Sequence, residues 1–197
     1  MSTPNQTQET INILLVGVGG QGTILAAKVL SQMALNAGYD VKMSEIKGMS
    51  QRGGSVVTQV RIGNDIASPT IDRGEADYIV AFEQLEGYRW AEYMKPTGIL
   101  IANDQQIEPM PVIMGVADYP EKIPTKLSDI GITIYCVNAL DIALDCGNAK
   151  TLNIVLLGHL AKRLPIDKSH WISALEQTIP ARLLECNKQA FEKGLIQ

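Results

Sequence analysis

A cluster of glycines separates a short apolar run from a helical pattern near the start of the chain, and that arrangement constrains the fold more than anything else in the sequence. Ile11, Ile13, Leu14, Leu15 and Val16 make a nearly continuous apolar run, the pattern of a strand buried on both faces. Gly17, Gly19, Gly20 and Gly22 follow. Ile24, Ala27, Leu30, Ala34 and Ala37 then recur near helical spacing until Gly38 stops the helix. Residues 39–46 read as a second strand. A β–turn–α–β unit of this kind predicts an α/β fold: an open, Rossmann-like, mostly parallel sheet flanked by helices.

The rest of the chain extends that sheet. Residues 55–62 put Val56, Thr58, Val60 and Ile62 on one face and Val57, Gln59 and Arg61 on the other, which predicts a half-covered or edge strand. Residues 76–82 predict a buried strand and 84–94 a helix. A break at Lys95, Pro96, Thr97 and Gly98 precedes a strand at 99–102. Pro109, Pro111, Pro120 and Pro124 make residues 104–124 irregular, with one short strand expected. Residues 132–137 read as the last central strand. From Ala139 onward the pattern is helical. An apolar helix at 151–164 ends at Pro165, Asp167 caps the next, and Pro180 starts another whose Phe191 and Leu195 dock on the body. With no repeat and no boundary signal, residues 11–197 read as a single domain after a polar, disordered leader at 1–10.

Composition excludes several functions. The formal net charge is −4 and the 17 Lys and Arg are scattered, so no general grip on nucleic acid or anionic membrane is expected. The leader lacks a signal core, and no apolar run reaches membrane-spanning length. Cys136, Cys146 and Cys186 are dispersed, which suits a reducing cytoplasm and cannot supply a four-cysteine iron–sulfur site. His159 and His170 have no zinc-site spacing, and no GxSxG elbow is present. His159 reads as a satisfied core or interface residue. Asp77, Glu83, Asp104 and Asp141 read as caps and surface charges. No catalytic set and no metal site can be assembled.

Two segments carry binding potential. Gly17, Gly19, Gly20, Gln21 and Gly22 satisfy GxGxxG between a strand and a helix, where backbone amides can face a phosphate. Glu45, near the end of the second strand, stands where a dinucleotide fold seats its ribose acid. A free-standing dinucleotide-binding protein therefore stays open, as does the plainer view that the glycines only allow close packing. A P-loop does not, because Thr23 replaces the required lysine. The second segment contains Gly48, Gln51, Arg52, Gly53 and Gly54. It can offer amides and a guanidinium to an anion or to a partner's carboxylate, or simply be a flexible connection.

Taken in order and spacing, the glycine turn from Val16 to Thr23, the Glu45 to Gly54 stretch, the following strand, Ala76 and Asp77, and the segment from Asn153 to Gly158 resemble one family. The chain is similar to the gamma domain of the 2-oxoacid:ferredoxin oxidoreductases, and most closely to indolepyruvate-type members with a stand-alone small subunit. The resemblance covers about residues 11–194. It implies a complex that decarboxylates a 2-oxoacid oxidatively, transfers the acyl group to coenzyme A and passes electrons to ferredoxin. A large alpha subunit would bring thiamine diphosphate and the iron–sulfur clusters. The present chain would bind neither alone and would be inactive in isolation. Its glycine turn and Arg52 loop would border the partner's active centre or the coenzyme A path. A homodimer through the apolar helix is left open.

Overall fold

The structure is a computed structural model that describes residues 10–47 and 54–196. The leader and, within the second segment, Gly48, Gln51, Arg52 and Gly53 lie outside the described residues.

Strand β1 (Ile11–Val18) is buried along nearly its whole length, as its apolar run requires. Helix α1 (Thr23–Asn36) follows. Gly38, at φ +84°, turns the chain out of that helix, its amide and that of Tyr39 returning to the carbonyls of Leu35 and Ala34. The chain then enters β2 (Asp40–Lys47). β3 (Ser55–Gly63) comes back antiparallel, while β4 (Ala76–Ala81), β5 (Met94–Asn103) and β6 (Thr133–Val137) run parallel to β1. The sheet order is β2-β3-β1-β4-β5-β6.

Each face of the sheet has its own core. Ile13, Leu15, Val60 and Val80 pack with α1, α6 (Leu152–Ala161), α7 (Lys168–Thr178) and α8 (Ala181–Ile196). Leu14, Val16, Val57 and Ile79 pack with α2 (Gln84–Arg89) and α4 (Ile123–Asp129). Helix α5 (Ala139–Asp145) closes the first layer, and α3 (Met110–Ile113) projects beyond the second. The helical tail docks through Phe191, fully buried, and through a glycine crossing. A Cβ on Gly194 would stand 2.0 Å from the Val155 carbonyl oxygen, and one on Gly158 2.3 Å from that of Phe191.

Four expectations from the sequence are corrected. β3 is an interior strand between β1 and β2, not an edge. Its polar face is covered by protein: Gln59 Oε1 accepts the Ile71 amide at 2.7 Å, and Arg61 bonds Asn12 and the carbonyls of Ser68 and Thr70. The segment after β3 thus folds over those side chains. β6 is the edge strand rather than a central one, short and exposed at Thr133, Tyr135 and Cys136. β5 begins at Met94, the register shift between Ala76 and Tyr78 accommodating Pro96. Residues 104–124 hold no strand, and their prolines start α3 and α4 instead.

Candidate functional site

β1 feeds α1 on one face of the sheet and the adjacent parallel β4 feeds α2 on the other. An α/β sheet opens a crevice at the carboxyl ends of two such strands. The glycine turn lies there.

Gly17 admits its neighbours: a Cβ on it would meet Gln21 Oε1 at 2.8 Å and Phe82 Cβ at 2.9 Å. Gln21 folds back over the strand end, where Oε1 accepts the Val18 amide at 2.8 Å and Nε2 donates to the Phe82 carbonyl at 3.0 Å. Gly22, at φ +81°, caps α1, and its carbonyl accepts from Asn153 Nδ2 at 3.1 Å. Gly20, at φ +103°, is exposed, and Thr23 is buried in the first turn. Gly19 donates its amide to the Gly54 carbonyl at 2.9 Å. That bond joins the glycine turn to the end of the second segment, so the two motifs meet at one end of the sheet.

Glu45 does not join them as a ribose acid would require. It pairs with Thr58, which in turn pairs with Leu15. The inserted β3 therefore sets Glu45 two strand spacings, roughly 10 Å, from β1 and below the turn. The dinucleotide alternative left open by the sequence is not favoured on that ground.

Two depressions flank the strand ends. On the α1 face, a cleft of about 470 Å³ is lined by Gly20 to Gly22, Gln105, Leu140, Lys150 and Asn153. The start of the 14-residue helix α1 opens on it beside the Lys150 ammonium, a setting suited to an anionic ligand. On the α2 face lies a notch of about 120 Å³ at Val18, Glu83, Glu86, Arg89 and Met110.

A polar network separates the two. Asn103 Nδ2 donates to the Phe82 carbonyl at 3.1 Å and to Gln105 Oε1 at 3.1 Å, and its Oδ1 accepts the Ala139 amide. Glu83 caps α2 through the Glu86 amide at 2.9 Å and also accepts from the Ile107 amide and the Tyr119 hydroxyl. Burial and that carboxylate both push the Tyr119 hydroxyl pKa upward, so it stays protonated. Glu86 accepts from Ser55 Oγ and pairs with Arg89 at 2.7 Å. Sequence reasoning missed Glu86, Tyr119, Asn103 and the bond that Asn153 donates to the Gly22 carbonyl. Glu83 is a cap as expected, but only 1% exposed rather than a surface charge. The available signal was Glu83 and Glu86 standing three apart at the end of a buried strand.

His159 lies elsewhere, buried on α6 beneath the β6 edge, and is not satisfied: neither ring nitrogen has a hydrogen-bond partner among the described residues. Desolvation, then the charges of Arg163 and Lys162, lower its pKa from 6.5 to about 4. Tyr135 packs edge-on against it, and the Arg163 guanidinium lies 4.0 Å over the Tyr135 ring. Among the described residues no His, Cys, Asp or Glu group could hold a metal ion, and the three cysteines sit on β6, after α5 and on α8. These donors do not fit an iron–sulfur cluster. No helix is long and apolar enough to cross a membrane.

Residues 12–196 match the model of the pyruvate ferredoxin/flavodoxin oxidoreductase family. The chain is 37% identical to indolepyruvate oxidoreductase subunit IorB of Thermococcus kodakarensis, over 93% of this chain and 94% of the relative. It is 36% identical to the IorB subunit of Pyrococcus horikoshii over the same shares. Its fold is similar to that of pyruvate oxidoreductase subunit PORC from Thermotoga maritima, with a TM-score of 0.74, 23% identity, and 96% and 97% of the two chains covered.

Proposed function

The chain belongs to the pyruvate ferredoxin/flavodoxin oxidoreductase family, and from that premise we propose that it is the small subunit of a 2-oxoacid:ferredoxin oxidoreductase of the indolepyruvate type. The observation that carries this reading is the likeness along nearly its whole length to relatives that are themselves named as separate indolepyruvate oxidoreductase subunits. Thiamine diphosphate and the clusters would belong to a large subunit, coenzyme A would be a cosubstrate of the complex, and ferredoxin would take the electrons. The complex would work in the cytoplasm, where three unpaired cysteines are stable.

In this reading the chain's own residues shape a boundary of the active centre. Gln21, Asn153 and Gly54 hold the glycine turn in one conformation. The cleft beside it, with the α1 amino end and Lys150, would border the path of coenzyme A and face its phosphates. Arg52 and its neighbours Gly48, Gln51 and Gly53 would continue that surface toward a phosphate or a carboxylate of the large subunit. Arg52→Ala should then weaken complex formation or raise the KM for coenzyme A.

The test is anaerobic affinity purification of the tagged chain from its own cell, followed by an absorbance scan and a 2-oxoacid panel. A brown complex with a larger subunit, reducing a dye with coenzyme A and an aryl pyruvate, is the expected result. A colourless lone protein that binds NAD or FAD tightly would overturn the reading.

A further inference from the structure

The lobe at residues 109–117 takes no part in either the core or the glycine turn. Met110, Ile113, Met114 and Val116 expose 62, 62, 69 and 72% of their surface within seven consecutive residues. A solvent-facing concentration of large apolar side chains marks an interaction surface. The lobe is also held in shape. The amides of Val112 and Ile113 return to the Pro109 carbonyl, that of Met114 to Met110, and those of Val116 and Ala117 to Pro111. Both of its roots are tied to the one buried carboxylate of Glu83, by the Ile107 amide and the Tyr119 hydroxyl.

Met110 and Ile113 also wall the notch of about 120 Å³ described above, whose charged lining is Glu83, Glu86, Glu108 and Arg89. Three carboxylates there face one guanidinium, and that guanidinium is already engaged by Glu86 at 2.7 Å. The notch is thus apolar along its wall and acidic in excess.

We propose that this lobe and notch dock the large subunit of the complex, which inserts a lysine or arginine beside apolar neighbours of its own. The aliphatic stem lies along Met110 and Ile113, and the cationic head meets Glu108 and Glu86. The proposal rests on the reading of the chain as a small subunit. Charge selects this occupant: a second copy would set acidic notch against acidic notch, and an anionic membrane would be repelled by a chain of net charge −4. Because Glu86 also holds Ser55, the docked subunit abuts the junction of Gly19 with Gly54.

The test uses the full chain and the purified large subunit, identified by its cluster absorbance. Ile113→Asp and Glu108→Lys both change exposed side chains, so the melting temperature of the isolated chain should hold. The Kd for the large subunit should rise about tenfold or more in each. Leu35→Asp, at an exposed apolar site on α1 across the sheet, should bind as the wild type does. A photo-crosslinker at Met114 should label the large subunit on a peptide bearing a lysine or arginine. Wild-type affinity in both variants would overturn the docking surface while leaving the subunit reading intact. Crosslinks to a second copy, or flotation with anionic vesicles lost in Ile113→Asp, would also overturn it. A wild-type chain that binds no large subunit would overturn both readings.

Discussion

The carboxyl end of the sheet and the crossing of α6 with α8 are held by opposite means. At the sheet end, Gln21, Asn103, Glu83 and Glu86 each use their polar atoms on several partners, and those bonds fix the backbone of a turn and two loops. At the crossing, two glycines bring backbones into contact, and on the β6 side of the same helix the ring of His159 has no hydrogen-bond partner among the described residues. The contrast teaches where geometry is specified and where only space is filled. Hydrogen bonds have direction and so define the surface a partner would read, whereas close packing defines only how near two helices come.

The comparison can be broken most severely at the crossing. Gly194→Val places side-chain atoms against the Val155 carbonyl and should cost about 4 kcal/mol or more, read in a urea melt as loss of the folded state. If this variant melts like the wild type, the helices are not in backbone contact.

His159 gives the next effect. Its folded pKa of about 4 lies below its ordinary 6.5, so the unfolded chain binds the proton more readily. Stability is therefore full above pH 6.5 and is lost as the pH falls toward 4, by about 3 kcal/mol in all. His159→Leu should flatten that part of the pH–stability curve.

At the sheet end, Glu83→Ala strands the amides of Glu86 and Ile107 and the Tyr119 hydroxyl. It should cost about 2 kcal/mol, with hydrogen exchange accelerating first in residues 107–119. Gln21→Ala should cost about 1 kcal/mol, because water can replace part of what the side chain bonds at a half-buried site. A larger loss for Gln21 than for Gly194 would reverse the comparison.

What could be read from the sequence divides along the same line. The strand, glycine turn and α1 are local in the chain, so Ile11 to Gly38 announce their own structure. The apolar periodicity of α6 likewise needs no distant partner to be recognised. β3 reads as a half-covered or edge strand because Gln59 and Arg61 look solvent-facing until residues 68–71 fold over them. Glu83 looks like a cap or surface charge, and Glu86 carries no signal of its own, because the partners Tyr119 and Ser55 lie 36 and 31 residues away. Glu45 suggested a ribose site only because nothing local shows that another strand inserts between β2 and β1. Periodicity reports which face of an element is apolar; it does not report which element arrives beside it.

The central claim, that this chain completes a catalyst it does not itself contain, is tested most directly by titration. Large subunit stripped of this chain should be mixed anaerobically with increasing amounts of it, and coenzyme A-dependent oxidation of an aryl pyruvate followed by dye reduction. The account predicts that activity rises from near zero and saturates at equal subunit amounts. Full activity of the large subunit alone, unchanged by added chain, would contradict it.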